Sequence, residues 1–401
     1  MIEREDMNNW KKVRVGDIGK IVTGKTPRTS IQEYYGGSTP FITPSDDMTV
    51  KYIKSTRKKL TTEGKLSVKN CILPKNAICV SCIGSDLGKV VITTEESVTN
   101  QQINSIIVCE EEYDIDFIYY RMKELGKVMN FHSKTSTAVP IINKSQFSDY
   151  TFMCPEKYIQ IRIGEILSAI DGKIANNDAI NRNLSEQAQA YFDELFIQNA
   201  SVEWKEGILS DVGSIVAGGT PSKSNQEYYT DNGIAWITPK DLSVDKSAFI
   251  SHGENDITEL GLQKSSATMM PAGTVLFSSR APIGYIAIAA NEICTNQGFK
   301  SVVPNDNVGT SYVYYLLKQL LPTIENMASG STFKEISGSA MKIVPTVIPD
   351  DETLKRFSDF CDPIMKQIQK NEQESKRLVE LRDTLLPKLM SGELDVSDLK
   401  I

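Results

Sequence analysis

The sequence predicts an α+β protein built as a tandem duplication. Each copy is a mixed α/β domain followed by a long helix, and the two long helices pack as an antiparallel coiled coil. Three observations predict this class: a colinear internal repeat, short β-rich runs between turns, and two long stretches with an apolar residue every three or four positions. The length of 401 residues agrees with two or three domains.

The repeat has an offset of 194 residues, since 204 − 10 = 194 for the tryptophans that open the two copies. Its landmarks in the first copy are Trp10, Asp17, Gly19, Gly24, Thr26-Pro27 and Gln32-Glu33-Tyr34-Tyr35, matched by Trp204, Asp211, Gly213, Gly218, Thr220-Pro221 and Gln226-Glu227-Tyr228-Tyr229. After a one-residue insertion, Ile42-Thr43-Pro44 and Asp46 match Ile237-Thr238-Pro239 and Asp241. A colinear series of this kind indicates that half of the chain was duplicated.

The first part of each copy alternates short apolar runs with Gly, Pro and Asn turns, which is typical of a mixed domain. Strands are predicted at residues 78–80, 90–92, 103–108, 274–277 and 285–289, and a helix at residues 117–125 and again at 312–321. The second part follows Pro155 and Pro349 and has helical periodicity.

A single apolar stripe on each long helix predicts that the two helices bury their stripes against each other. The predicted seam residues are Ile163, Ile170, Asn177, Leu184, Phe357, Ile364, Asn371 and Leu378. The two asparagines occupy equivalent positions, where they either penalise slipped registers of the seam or face solvent.

The predicted domain layout follows from these elements. Residues 1–155 form the first domain, 156–198 the first spacer helix, 199–348 the second domain, 349–392 the second spacer helix and 393–401 a C-terminal tail.

Composition excludes several classes of protein. With 44 Lys+Arg against 51 Asp+Glu the formal charge is −7, which argues against a protein that coats nucleic acid indiscriminately but permits a local basic surface. The absence of an apolar run of about 20 residues and of a signal-like N-terminus predicts a soluble, cytoplasmic protein without a membrane partner. Seven cysteines, an odd number in a long chain, do not suggest a secreted disulfide framework.

Two motifs suggest chemistry that the repeat does not support. Residues 19–26 fit the phosphate-loop pattern, which would make the chain a nucleotide-binding enzyme. Pro27 follows at once, however, and the second copy has Gly219 where the first has Lys25, so a shared turn is the preferred interpretation. Cys79 and Cys82 form an isolated C-x-x-C pair that is better explained as buried thiols than as a metal site. We therefore expect no catalytic centre and no bound metal.

Residues 51–75 carry eight basic residues and one acidic residue, Glu63. Such a run predicts a surface that contacts nucleic-acid phosphates, with a merely solvated surface as the alternative. The matching part of the second copy is acidic, so the landmarks repeat but the chemistry between them differs. Two similar scaffolds with different loops suit a protein that reads two different short sequences.

The candidate DNA-contacting residues are polar or basic side chains near the landmarks. In the first copy they are Lys25, Thr26, Arg28, Thr43, Ser45, Lys51, Lys54, Arg57, Lys58 and Lys59, and in the second Thr220, Ser222, Lys223, Thr238, Lys240, Arg280, Asn296, Gln297, Lys300 and Lys334. Arg280 is the best single candidate for reading a base, with a structural ion pair as its alternative role.

The whole chain resembles the DNA specificity subunit of type I restriction-modification systems. The resemblance rests on the twice-repeated opening from the tryptophan to Ile-Thr-Pro-x-Asp, on the long helix after each domain, and on the C-terminal stretch LRDTLLPKLMSGELDV at residues 381–396.

This resemblance implies a non-catalytic subunit with two target-recognition domains, each reading one half of a gapped double-stranded DNA site. It also implies partners: two modification methyltransferase subunits that use S-adenosylmethionine, and restriction subunits that use ATP and Mg²⁺ for translocation and cleavage. The chain itself would bind none of these cofactors. A specificity component of a related fused methyltransferase–nuclease system, or a coiled-coil adaptor without DNA contact, are the alternatives.

Overall fold

The structure is a computed structural model that describes residues 10–84, 86–133, 141–330 and 334–397. Contacts between residues divide the chain into two compact units. The first unit is Met1–Ile174 with Arg377–Ile401, and the second is Ala175–Lys376. Each unit therefore contains one copy of the α+β domain and part of both long helices.

The described part of the first unit contains eleven named strands, three short or medium helices and parts of the two long helices. In chain order these are β1 (Lys11–Arg14), β2 (Gly19–Thr23), β3 (Tyr35–Ile42), β4 (Tyr52–Ile53), β5 (Lys58–Leu60), α1 (Thr62–Leu66), β6 (Ile72–Leu73), β7 (Ile78–Ser81), β8 (Val90–Thr93), β9 (Ser97–Thr99), β10 (Ile103–Val108), α2 (Ile115–Ser133), α3 (Lys144–Asp149), β11 (Thr151–Cys154) and the long helix α4 (Lys157–Asp193).

The second unit repeats much of this order. Its elements are β12 (Lys205–Ile208), α5 (Leu209–Val212), β13 (Gly213–Ala217), β14 (Tyr229–Thr230), β15 (Ile234–Ile237), α6 (Pro239–Val244), β16 (Phe249–Ile250), β17 (Asn255–Ile257), α7 (Glu259–Gln263), β18 (Val275–Ser279), β19 (Ile283–Ala289), β20 (Cys294–Thr295), β21 (Lys300–Pro304), α8 (Thr310–Met327), α9 (Gly338–Lys342), β22 (Pro345–Ile348) and the long helix α10 (Asp351–Ser391).

The five-stranded sheets and the two-stranded pairs have matching strand orders in the two units, whereas the four-stranded sheets are ordered differently. A five-stranded sheet runs β2-β10-β7-β8-β4 in the first unit and β13-β21-β18-β19-β16 in the second. A four-stranded sheet runs β5-β3-β9-β6 and β14-β17-β15-β20, and a two-stranded pair is formed by β1-β11 and β12-β22. The predicted α+β duplication is confirmed at the level of topology.

Each five-stranded sheet has a helix against it, and the domain core lies between them. In the first unit Phe117, Tyr119 and Tyr120 of α2 are almost fully buried in this core. In the second unit Tyr312 and Tyr315 of α8 occupy the equivalent positions, one helix turn apart on the same face. The apolar run at residues 78–80 predicts a buried strand, and all four residues of strand β7 are buried.

The long helices have 37 residues in α4 and 41 in α10, equivalent to about 55–60 Å at 1.5 Å per residue. Within the second unit, Asn177 contacts Asn371 while Tyr191 stacks on Phe357. Residues further along α4 therefore contact residues earlier in α10, so the two helices are antiparallel. Of the predicted seam residues, Ile163, Asn177, Phe357 and Asn371 are buried, and Ile170, Leu184, Ile364 and Leu378 are partly buried.

The paired asparagines lie inside the seam of the second unit and do not face solvent. Asn177 is 1% exposed and donates to the Glu374 carboxylate at 2.8 Å. Asn371 is 6% exposed and donates to the Asn181 side-chain oxygen at 2.7 Å. These bonds require one relative register of the two helices, because a slipped pairing would leave buried amides without partners.

In the first unit an ion pair joins the two long helices instead. Arg382 contacts Asp171 at 2.7 Å, and Asp171 also accepts a 2.6 Å hydrogen bond from the hydroxyl of Tyr120. Among the described residues, none of the helices combines the length and apolar character needed to cross a membrane.

Candidate nucleic-acid interface

The repeated landmarks of the sequence form the same hydrogen-bonded scaffold in both units. The hydroxyl of Tyr35 donates to the carbonyl of Pro27 at 2.8 Å, and that of Tyr229 to the carbonyl of Pro221 at 2.7 Å. The second tyrosine of each Glu-Tyr-Tyr landmark therefore anchors the Thr-Pro turn before it.

The glycine of each Gly-x-Thr-Pro landmark is required by a close backbone approach. A Cβ atom at Gly24 would lie 2.1 Å from the carbonyl oxygen of Asn100, and one at Gly218 would lie 2.0 Å from that of Asn296. The landmark thus packs the turn against the Asn-Gln pair of its own copy, Asn100-Gln101 or Asn296-Gln297. Thr26 donates to the side-chain oxygen of Gln101 at 2.7 Å across this junction.

The Thr-Pro-x-Asp landmarks close a turn around a buried carboxylate, and we call residues 43–46 and 238–241 the carboxylate turns. Asp46 accepts from the backbone N–H and the hydroxyl of Thr43 at 2.7 and 2.9 Å. Asp241 accepts the same two bonds from Thr238 at 2.7 and 2.6 Å. The hydroxyls of both predicted threonines are therefore already engaged in holding the turn.

The second oxygen of each carboxylate holds the backbone of a more distant residue. Asp46 accepts from the N–H of Arg57 at 2.7 Å, and Asp241 accepts from the N–H of Glu254 at 2.9 Å. One backbone position is thus fixed in the same way in both units, but it presents a guanidinium in the first and a carboxylate in the second.

A second pair of equivalent positions differs as well. Ser45 of the first carboxylate turn corresponds to Lys240 of the second, since 240 − 45 = 195. Lys240 forms a 2.5 Å ion pair with Glu254, and both side chains remain mostly exposed. Scaffold and side-chain chemistry are therefore separable: the turns are shared, and the groups they present are not.

An open cleft of about 700 Å³ in the second unit gathers most of the predicted contact residues of that copy. Seven of the ten line it: Thr220, Lys223, Thr238, Lys240, Arg280, Asn296 and Gln297. They come from four separate stretches of chain, and the carboxylate turn and the Thr-Pro turn bring those stretches together.

The remaining three residues of the second copy lie elsewhere. Ser222 is exposed and shares a 2.8 Å hydrogen bond with Ser224. Lys300 is only 9% exposed and donates to the carbonyl of Gln297 at 3.4 Å. Burial lowers the pKa of its ammonium group, Glu335 opposes that shift and Arg280 adds to it. Lys334 is exposed beside Glu335 in the sequence.

Most predicted residues of the first copy form an exposed basic surface. Lys25, Arg28, Ser45, Lys54, Arg57, Lys58 and Lys59 are exposed, and Thr26 and Thr43 are partly buried in the scaffold. Lys58 and Lys59 are consecutive residues of the short strand β5. Elsewhere in the run, Lys65 pairs with Glu96 at 2.5 Å.

Lys51 corrects the prediction for this run. Its side chain is 10% exposed, and its ammonium group contacts Asp116 at 2.8 Å and Ser168 at 2.7 Å. The same group lies 4.9 Å from the ring centre of Tyr120, in cation–π distance. Lys51 therefore stabilises the junction of α2 with α4 and does not belong to the exposed basic surface.

The phosphate-loop motif does not have the structure that nucleotide binding requires. Such a loop follows a strand and opens a helix whose N-terminus receives the phosphates. Here residues 19–23 are themselves strand β2, and the backbone of Lys25 bonds to the carbonyl of Thr99 at 2.9 Å. The next helical element is a single 3₁₀ turn at Gln32–Tyr34.

The cysteine pair is buried in and beside strand β7. Burial raises the pKa of Cys79 to about 12, with a hydrogen bond from Ser105 acting in the opposite direction. All seven cysteines are free thiols. The residues that the structure describes contain no group of three or more His, Cys, Asp or Glu side chains able to hold a metal ion.

Two acidic residues of the cleft region escaped the sequence prediction. Glu254 lines the cleft beside Lys240, and Glu335 lies 3.4 Å from the guanidinium of Arg280. Both are carboxylates, whereas the predicted contact residues are basic or neutral polar side chains. Glu254 could have been found by aligning it with Arg57 through the shared carboxylate turn, whereas nothing in the sequence brings Glu335 next to Arg280.

Comparison with known proteins decides the family. The model of the type I restriction modification DNA specificity domain matches residues 7–186 and, a second time, residues 201–380. The chain belongs to this family of DNA specificity proteins. The two matches coincide with the two copies of the repeat.

Two relatives agree with membership of the specificity family. The chain is 39% identical to the type I restriction enzyme MjaIX specificity subunit of Methanocaldococcus jannaschii over 196 residues, 47% of this chain and 45% of that one. It therefore spans about half the length of that relative. It is 25% identical to the HindI specificity subunit of Haemophilus influenzae over 97% of this chain and 100% of the relative. The crystal structure of the type I S subunit from M. genitalium has the same fold, with a TM-score of 0.65, 17% identity and 99% coverage of both chains.

Proposed function

We propose that this chain is the DNA specificity subunit of a type I restriction-modification complex and that each of its two domains reads one half of a gapped double-stranded site. The observation that carries the proposal is the pair of carboxylate turns. They fix one backbone position identically in the two units and present Arg57 in one and Glu254 in the other. Two readers on one scaffold are what recognition of two different half-sites needs.

Positioning and reading are divided between different side chains in this proposal. The exposed lysines of the first unit, among them Lys58 and Lys59, supply contacts to phosphates, which carry affinity but no sequence information. In the cleft of the second unit, Lys240 and Arg280 each face a carboxylate. The exposed side chain of Gln297 offers the donor and acceptor pair that base edges recognise, whereas the side-chain oxygen of Asn296 already accepts from the N–H of Gly298 at 2.8 Å.

The chemistry of modification and cleavage falls to partners. Family membership supports two methyltransferase subunits that supply S-adenosylmethionine, and restriction subunits that supply ATP and Mg²⁺. The net charge of −7 favours a complex in which those partners add positive surface around the DNA. Because the proposed complex acts on double-stranded DNA inside the cell, its place of action is the cytoplasm.

Domain replacement tests the proposal directly. The full chain would be produced with its modification subunits in a host without other methyltransferases, and the methylated sites mapped across the genome. Replacing residues 204–345 by the matching domain of a relative should change one half of the methylated site and leave the other half unaltered. Methylation at a site changed in both halves, or methylation without sequence preference in the parent complex, would refute the proposal.

A further inference from the structure

A cluster of three charged side chains lies at the edge of the cleft in the second unit. The two carboxylate oxygens of Glu335 each face one cation: Arg280 at 3.4 Å and Lys300 at 3.8 Å. Arg280 lines the cleft and its side chain is 36% exposed, whereas the side chain of Lys300 is 11% exposed. Of the two cations, only Arg280 is placed to reach a ligand in the cleft.

The backbone beneath this cluster is fixed from several directions. Arg280 and Glu335 are partners in an isolated antiparallel bridge, and Glu335 forms a second bridge with Ser329. The hydroxyl of Ser278 accepts from the N–H of Tyr285 and donates to the carbonyl of Pro282, both at 2.8 Å. The loop that carries Arg280 is thus held at its base before any ligand arrives.

Such an arrangement suits one kind of base contact. A guanidinium has five N–H donors in a rigid fork, and in the major groove it pairs with O6 and N7 of guanine. A carboxylate that engages one side of the fork leaves the other donors free and removes alternative side-chain orientations. The buried Lys300 completes the cluster by holding the second oxygen of Glu335, so the carboxylate is fixed as well.

We propose that Arg280 reads a guanine in the second half-site and that Glu335 is the residue that positions it. This proposal rests on the proposed DNA-reading function. Glu335 acts through Arg280 and does not itself contact the base. The competing role for Glu335 is simple repulsion of DNA phosphates, which would weaken binding to every sequence equally.

The first unit lacks this device at the equivalent position. There the isolated bridge joins Ile83 to Ile141. Matching backbone hydrogen bonds establish this equivalence. The N–H of Cys82 donates to the carbonyl of Gln102, as that of Ser279 donates to Gly298. The N–H of Ile142 donates to the carbonyl of Cys82, as that of Ile336 donates to Ser279. An apolar pair cannot read guanine O6 and N7, so the requirement for guanine at this position should be confined to one half-site.

A double-mutant cycle on the assembled complex tests the assignment. After the methylated site has been mapped, binding would be measured for duplexes in which each guanine of the second half-site is replaced in turn by adenine or by 7-deazaguanine, which lacks the N7 acceptor. Arg280→Ala should remove the preference for one guanine, roughly a 5- to 150-fold loss of discrimination. Arg280→Lys should keep the salt dependence but weaken the preference, because it retains the charge without the rigid fork.

The effect of Glu335→Gln separates positioning from repulsion. It should reduce discrimination at the same guanine by about tenfold in the parent chain and have no further effect in the Arg280→Ala background, which is the signature of coupled residues. Glu254→Gln, which removes the same charge from the same cleft beside Lys240, should leave the preference for the guanine read by Arg280 unchanged.

Three results would overturn the assignment. One is a Glu335→Gln variant that raises affinity for every duplex while the guanine preference stays unchanged. Another is an effect of Glu335→Gln that is equally large with and without Arg280. The third is a second half-site without any guanine whose replacement matters. A parent complex that fails to discriminate between any duplexes would instead refute the DNA-reading function itself, and with it this assignment.

Discussion

In the first domain the carboxylate of Asp46 holds the backbone of Arg57, and in the second the carboxylate of Asp241 holds the backbone of Glu254. The two turns have the same hydrogen bonds within about 0.3 Å, yet the side chains they present have opposite charge. The repeated residues of this protein therefore build the scaffold. The residues that differ between the repeats are the ones to examine for recognition.

The two parts of the helix pair show the same principle. In the first unit Asp171 forms an ion pair with Arg382 and accepts a hydrogen bond from the hydroxyl of Tyr120. The repeat places Met365 and Ala188 at the equivalent positions in the second unit, since 365 − 171 = 194 and 382 − 188 = 194, and both are buried. There the hydrogen bonds of the Asn177 and Asn371 side chains fix the register of the two helices instead.

The largest expected effect comes from removing the shared scaffold on one side only. Asp241→Ala deprives three donors of their acceptor: the N–H and hydroxyl of Thr238 and the N–H of Glu254. Hydrogen bonds to a charged group contribute about 1.5–3 kcal/mol each, so the variant should lose about 3 kcal/mol or more of unfolding free energy. Chemical denaturation measures this loss.

The matched variant is Asp46→Ala, whose carboxylate accepts the same three bonds in the first domain. The two variants should be destabilised to a similar degree, and methylation mapping should show degraded recognition of different half-sites. Loss of recognition in the same half-site by both variants would contradict the separation of the two domains.

A somewhat smaller effect is expected at the helix pair of the first unit. Arg382→Ala leaves the carboxylate of Asp171 poorly exposed and without its cation, which should cost about 3 kcal/mol. The double variant Asp171→Met, Arg382→Ala copies the second unit, where the hydroxyl of Tyr315 lies 3.8 Å from the sulfur of Met365. It should be more stable than Arg382→Ala alone. Thermal unfolding that ranks the double variant below the single one would show that the units are not interchangeable at this position.

A third prediction concerns the basic surface of the first domain. Replacing Lys58 and Lys59 by alanine should weaken binding to all sequences alike, and the dependence of log affinity on log salt should flatten by about 0.9 for each phosphate that is no longer neutralised. The control is Lys11→Ala with Lys12→Ala, which removes two adjacent exposed lysines from strand β1. An equal change in salt dependence for both pairs would assign Lys58 and Lys59 to the general solvated surface.

Sequence patterns predict the architecture well because each signal is local or repeated. The strands at residues 78–81 and 103–108, the helices α2 and α8 and the two long helices all follow from periodicity and turn residues. The sequence alone does not decide whether Asn177 and Asn371 are buried, because an isolated amide in an apolar stripe fits either environment until the partner helix is placed.

The contact surface is less predictable, because it depends on residues far apart in the chain. A run of lysines does not reveal that Lys51 meets Asp116 and Ser168, which come from two different helices. The cleft likewise draws Lys223, Arg280 and Asn296 from segments more than 15 residues apart, a juxtaposition that the carboxylate and Thr-Pro turns create.

The methylome of a chain carrying the second domain twice shows whether each domain independently reads its own half-site. In this chain residues 10–155 are replaced by residues 204–349, the equivalent segment of the repeat, and the full complex is assembled with its modification subunits. Methylation is expected at a gapped site in which both halves have the sequence that the second domain reads. A soluble, assembled complex that still methylates the original first half-site would contradict it.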